Sequence, residues 1–471
     1  MPLLLTRLTW TLFALSLGIL FWNPDPEWMQ GTLVQVDGLT RIMAVVTTFF
    51  SGIIQSFSRR YMAGAKRINA FFGRLFALTF VVTLITASNH LVLFVGAWTA
   101  MGWLLADLIG HVRGWPQARA AARYARWHFL GGSALVAIAL GLLGMQSGSW
   151  TISGVLAAVP TLPSSVVAVS ALLLVVAAMV QSALVPFHRW LLSSMTAPTP
   201  VSGFMHAGLV NAGGVLLARF APIAFEFSPI MLLIVAVGGV SALLGQAWML
   251  VRTDVKGQLG SSTVAQMGFM VLQCGLGLIP AAITHLILHG FYKAYLFLAT
   301  GSAVAHKTPK KKSAAGSSVL SSIVALASAI GGGVLFAVVA GKSLTALDSG
   351  SLLTVFVVLS VLHATRSVVQ RASLPSSVRL WAVPGLLLSS IGLYAVVYNG
   401  VSALLAPLPM AVLHTSITPL HWGIAALFVI AYVVTEQGWH KRSTRLYVAL
   451  LNTAQPASNT LLHNRDQYNA Y

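Results

Sequence analysis

The sequence predicts an all-α fold, a polytopic transmembrane helix bundle of about fourteen spans. Three observations predict it. Hydrophobic residues make up 57% of the 471 and charged residues only 8%, against about 25% charged in an ordinary soluble domain. The apolar residues fall in runs of roughly 20, the length of helix that crosses a bilayer. Lysine and arginine cluster in the gaps after every second run, the pattern of the positive-inside rule. Runs of this length must be helical, because lipid satisfies no backbone hydrogen bonds.

The runs lie at 3–22, 38–57, 71–88, 91–110, 127–145, 170–194, 201–220, 228–250, 259–279, 281–304, 317–340, 352–369, 379–399 and 417–437. The first resembles a secretory signal in composition. It is rather long, and no small-x-small cleavage site precedes the Pro24–Pro26 turn, so it reads as a retained helix. Arg59, Arg60, Lys66 and Arg67 follow the second run, and Arg113, Arg119, Arg123 and Arg126 the fourth. Arg189 lies late in the sixth; Arg252 and Lys256 follow the eighth, and Lys307, Lys310, Lys311 and Lys312 the tenth. Arg366 and Arg371 sit at the end of the twelfth, and Lys441, Arg442 and Arg445 follow the fourteenth. A miscount in mid-chain would break this alternation. Both termini are therefore expected in the cytoplasm. The basic 111–126 loop is expected to form a short interfacial helix, 306–316 a flexible cytoplasmic linker, and the segment beyond Arg445 a polar cytoplasmic tail.

Composition also excludes function classes. The net charge is +19, but it is spread over inter-span gaps and no groove-reading module accompanies it, so nucleic acid is not expected as a partner. Cys274 is the single cysteine, which rules out an intrachain disulfide and Cys-ligated iron–sulfur or Cys-rich zinc sites. No cofactor is expected; electron transfer or hydrolysis would belong to another chain. The reading is a transport subunit rather than an enzyme.

Ionisable residues inside the runs carry the functional signal, since each costs about 2.5–3.5 kcal/mol at a bilayer centre. His285, His289 and Lys293 are spaced i, i+4, i+8 in THLILHGFYKAYLF. They span about 80° of helix circumference and rise about 12 Å. One titratable stripe through an apolar helix suits a proton or cation relay, with histidine titrating near neutrality. The bland alternative is interhelical hydrogen bonding; three such groups in one stripe favour the ion path. His206 extends the path or serves structure. Asp107, near the end of the fourth run, is a functional or merely interfacial carboxylate. Asp254 and Lys256 open the ninth run as site residues or as an ordinary loop pair, and Lys342 reads as a lysine snorkelling to water. Pro186, inside the sixth run, breaks or kinks its helix, and a break would expose backbone groups to ions.

These residues carry a family resemblance. QSALVPFHRWLLSSMTAPTPVSGFMHAGLVNAGGVLLARF resembles the broken-helix signature of the proton-pumping, antiporter-like subunits of respiratory complex I and the Mrp antiporters. SSTVAQMGFMVLQCGLGLIPAAITHLILHGFYKAYLFLATGS resembles the next signature of the L-type subunits. The match covers roughly 90–310. It implies two inverted five-helix repeats, each with a broken helix, joined by a polar axis that His206, His285, His289 and Lys293 match. Asp254 and Lys256 match the family's TDxK stretch. Two positions depart. The family's membrane glutamate is Thr99 in Trp98–Gly102, and its broken-helix lysine is Gln181 before Ser182–Pro186. Asp107 is the candidate substitute carboxylate, and the chain offers no room for the lateral helix of the L subunit. On these departures the chain is most similar to the DabB type, the membrane subunit of the DAB inorganic-carbon pumps. That implies H+ or Na+ flow coupled to a large cytoplasmic zinc-binding DabA-like partner related to β-carbonic anhydrases. It also implies residence in a bacterial inner membrane. The other reading is a complex I-like or Mrp-type subunit, and a non-conducting membrane anchor is the structural one. The expected division is N-terminal helices at 1–90, a first repeat at 91–250, a second at 251–400, and a last helix with its tail at 401–471.

Overall fold

The computed structural model describes residues 1–22, 31–304, 319–343, 346, 348–369, 377–411, 417–438 and 442–461. The expected 306–316 linker lies outside them. The described chain is a helical bundle, with only two isolated β-bridges, Val34 to Ser88 and His90 to Thr151. Twelve of its helices are long and apolar enough to cross a membrane.

The first five long helices are α1 (Pro2–Phe21), α2 (Gly38–Tyr61), α3 (Ile68–Ala87), α4 (Leu91–Ile109) and α5 (Pro116–Ser147). Here α5 absorbs the expected interfacial helix. The alanine-rich start at 116–126 favours helix strongly, so it continues without a break into the apolar stretch. A short α6 (Ile152–Ala158) fills the next loop.

The sixth and seventh runs are both broken helices. The sixth divides into α7 (Ser164–Gln181) and α8 (Arg189–Ser193), and the seventh into α9 (Thr199–Ala207) and α10 (Ala212–Arg219). In the first break Ala183 takes a left-handed φ of 52° and Val185–Pro186 is cis. The short α11 (Ala221–Phe225) leads to α12 (Ser228–Val251), α13 (Val255–Gly275) and α14 (Ile279–Leu298). The last two match the ninth and tenth runs in position, but their glycines and polar residues dilute the apolar character. Then come α15 (Val319–Val339), α16 (Ser349–Val369), α17 (Val383–Leu405), α18 (Pro419–Glu436) and α19 (Thr444–Thr453).

Glycine sets the tightest helix pair. A Cβ on Gly238, Gly245 or Gly268 would lie 2.4–2.5 Å from backbone nitrogen of the facing helix. Small residues let two membrane helices approach this closely. The α12–α13 pair is thereby locked, and α13 presents its other face to α9 and α14.

The expected tail is not a free extension. The Trp248 indole donates to Thr453 Oγ1 at 2.9 Å, and the backbone N–H of Ala457 donates to Ser193 Oγ at 3.1 Å. The end of the described chain is thus fastened to α12 and to the broken sixth helix.

Candidate functional site

The two breaks face one another, and side chains satisfy the carbonyls they free. The Gln181 side-chain amide donates to the Leu209 carbonyl at 3.0 Å, and Ser182 Oγ donates to that of Val210 at 2.8 Å. Asn211 donates to Ala207 and the Trp190 indole to Val180, at 2.9 and 2.8 Å. Buried backbone groups without partners would each cost about 1–3 kcal/mol. The breaks are therefore built positions, not frayed helix.

Beside them lies a cluster of titratable groups. Lys293 of α14 is fully buried, and its Nζ donates to the Leu259 carbonyl of α13 at 2.9 Å. Thr263 donates its hydroxyl to the same carbonyl at 2.9 Å. The Thr263 oxygen must then accept from His206 Nδ1, 2.9 Å away, because a hydroxyl has one proton to give. His206 therefore carries its proton on Nδ1 and presents Nε2 as an acceptor. Its ring stacks on Phe297 at 4.4 Å between centroids. His289 lies within electrostatic reach of Lys293, His206 and His285. The His285 and His289 rings are 5.8 Å apart and nearly parallel. Nε2 of His206, His285 and His289 is buried in each case, without a hydrogen-bond partner in the protein. Relay groups bridged by water need such free sites.

Lys256 and Asp254 stand at the start of α13. Lys256 Nζ donates to the Ala197 and Met195 carbonyls at 3.0 and 3.4 Å, tying α13 to the chain between α8 and α9. Asp254 caps α13 by accepting from Gly257 N at 2.5 Å, and its carboxylate lies 3.6 Å from Arg252. Asp107 is not brought to the cluster. It pairs with Arg126 at 2.6 Å and Arg74 at 3.4 Å. Thr99 turns its hydroxyl back to the Val95 carbonyl at 2.8 Å. The neighbouring Trp98 and Met101 line an apolar cavity with Gly208 and Leu209. Among the described residues that line that cavity, none is charged.

Sequence reasoning missed one buried ion pair. Arg219, at the end of α10, binds Asp37, the N-cap of α2, and also donates to the Thr86 carbonyl at 2.8 Å. Burial alone would push the Asp37 carboxyl up; the Arg219 charge and the hydrogen bonds from Arg219 and Thr40 outweigh it and hold the carboxyl below its ordinary value. The signal was there: an arginine closing the seventh run, and an aspartate opening the second at the same membrane level.

Buried titratable groups beside paired broken helices in a long apolar bundle define a class, the polytopic antiporter-like membrane proteins. Comparison with known proteins agrees. Residues 88–341 match the family described as NADH:quinone oxidoreductase/Mrp antiporter, TM, and residues 32–72 match NADH-ubiquinone oxidoreductase (complex I), chain 5 N-terminus. The chain belongs to the NADH:quinone oxidoreductase/Mrp antiporter transmembrane family.

Among curated relatives, it is 38% identical to the probable inorganic carbon transporter subunit DabB1 of Halothiobacillus neapolitanus over 60% of this chain and 52% of that one. It is 39% identical to the probable inorganic carbon transporter subunit DabB of Bacillus subtilis, over 57% and 54%. It is 34% identical to NADH-quinone oxidoreductase subunit L of Mycobacterium tuberculosis, over 62% and 46%. The chain thus spans about half the length of the curated relatives it matches. A solved Mrp complex from a Dietzia species superposes over 98% of this chain and 51% of the other, at TM-score 0.60 and 22% identity, which shows the shared fold.

Proposed function

We propose that this chain is the cation-conducting membrane subunit, with the proton as the cation, of an energy-coupled inorganic-carbon uptake pump. The observation that carries the reading is the buried cluster in which Lys293 and His206 are joined through Thr263 and the Leu259 carbonyl, with His289 within electrostatic reach of both. Protons pass along His285, His289, Lys293 and His206, bridged by water, and reach the basic side near Lys256 and Asp254. Moving one charge across the membrane releases about 2.3 kcal/mol per 100 mV, and a series of groups that gain and lose charge can couple that energy to work. The similarity to DabB subunits supports inorganic carbon as the cargo and a large cytoplasmic zinc-binding DabA-like protein as the partner. The basic loops support a bacterial inner membrane with both termini in the cytoplasm.

The similarity to subunit L favours a second reading, a proton- or sodium-translocating subunit of a complex I-like or Mrp-type assembly. The composition of the complex purified with this chain separates the two. A zinc-containing cytoplasmic protein supports the carbon pump; flavin and iron–sulfur subunits overturn it. Independently, Lys293→Ala is expected to abolish bicarbonate-dependent growth in air at wild-type membrane abundance. Normal growth of that variant overturns the ion path.

A further inference from the structure

A second charged site lies away from the titratable cluster. Arg74 of α3, Asp107 of α4, Arg113 of the following turn, and Arg119, Arg123 and Arg126 of α5 line one open cavity of about 370 Å³. The three α5 arginines fall at i, i+4 and i+7, on one helix face. Asp107 neutralises part of this charge through Arg74 and Arg126. Among the described residues, Arg113, Arg119 and Arg123 have no carboxylate within ion-pair distance. Nε of Arg126 is buried without a hydrogen-bond partner. Nearby His111 reports the same field. Burial, and then Arg74, Arg67 and Arg113, lower its pKa, so it resists adding another positive charge.

The positive-inside rule explains basic residues on this side. It does not explain why five guanidinium groups from α3, α4–α5 and α5 converge on one cavity, where the single carboxylate of Asp107 offsets only one of five positive charges. Guanidinium forks match the oxygens of a phosphate in pairs. The depth in the membrane is marked by indoles. Trp103 and Trp127 are 48% and 70% exposed, and the Arg126 guanidinium lies 4.7 Å over the Trp103 ring. Exposed tryptophans favour the headgroup level, and basic pockets between membrane helices bind anionic headgroups there.

We propose that this arginine-lined cavity binds a phosphate group, presented by the headgroup of an anionic phospholipid. Asp107 is its internal counter-ion, holding Arg74 and Arg126 in place while Arg113, Arg119 and Arg123 meet the phosphate oxygens. The site is independent of which cation the chain conducts.

The test uses the full chain in nanodiscs of phosphatidylcholine with or without phosphatidylglycerol, read by thermal unfolding and by native mass spectrometry. Phosphatidylglycerol is expected to raise the unfolding temperature and to remain bound on release from the disc. Arg119→Gln/Arg123→Gln is expected to weaken that retention at least about tenfold, the loss of one charge-assisted hydrogen bond or more. Arg59→Gln/Arg60→Gln, which removes two exposed charges from another cluster, is expected to leave it unchanged. Inorganic phosphate in pure phosphatidylcholine distinguishes the sources. If it stabilises the protein equally, and the stabilisation is lost in Arg119→Gln/Arg123→Gln alone, the phosphate site stands but its ligand is the free ion. Equal loss in both double variants means diffuse charge and overturns the site, as does no effect of either anion on the wild type. Capture of an acidic protein by the arginines with no change in lipid retention also overturns it.

Discussion

Gln181 joins the two broken helices by donating its side-chain amide to the Leu209 carbonyl, 3.0 Å away, both groups being buried. This is the position where the resemblance implies a lysine. Gln181→Leu leaves the Leu209 carbonyl unpaired and is expected to destabilise the protein by about 1–3 kcal/mol. Gln181→Asn keeps an uncharged amide donor and is expected to cost less. Thermal unfolding of the two purified variants in one detergent ranks them, and equal loss in both would count against the bond.

Thr263 fixes the proton of His206 on Nδ1 because its own hydroxyl is committed to Leu259. Thr263→Val removes the acceptor while keeping the shape. It is expected to slow coupled uptake by about three- to tenfold, the worth of one hydrogen bond, at unchanged membrane abundance. Thr263→Ser is expected to restore most of the rate. Full activity in Thr263→Val would remove His206 from the path.

The buried Asp37–Arg219 pair is expected to be structural. Arg219→Met leaves a buried carboxylate uncompensated, at a cost of roughly 3–5 kcal/mol. Asp37→Asn/Arg219→Met is expected to recover part of that loss. The pH dependence follows from the depressed Asp37 carboxyl. Its stabilisation is fully present above the unfolded-state value of about 3.9 and is lost as pH falls through the lower folded-state value. Unfolding temperatures measured through the acid range should show this component in the wild type and lack it in the double variant.

Orientation follows from the basic gaps. A reporter fused after Arg445, and another inserted at 306–316, are expected to be cytoplasmic. A signal from the opposite side at either place would break the alternation from which the topology is read.

Thr99 holds no carboxylate and bonds its own helix, so Thr99→Ala is expected to leave uptake within about twofold, a change of under 0.5 kcal/mol. Alanine at His289 is expected to abolish uptake or slow it severely. The comparison is uptake per unit of membrane-inserted protein, and a reversed ranking would move the ion path away from the titratable cluster towards Thr99.

Much of this protein was legible along the chain. Span length and apolar content are counted residue by residue, and they alone determine that it is a multi-pass helical membrane protein. The i, i+4, i+8 spacing likewise put His285, His289 and Lys293 on one stripe, because helix geometry is local. What the spacing does not contain is the rotation of one helix against the next. The close approach at Gly238, Gly245 and Gly268 locks α13 to α12; that, with the packing of α9 and α14, decides that Thr263 and Leu259 meet His206 and Lys293. The same reason separates Asp107 from the cluster. Its place near the end of α4 was readable in the sequence, but Arg74 and Arg126 reach it only because α3 and α5 pack on either side. A partner one turn away follows from sequence alone, whereas a partner on another helix is settled only when the bundle closes.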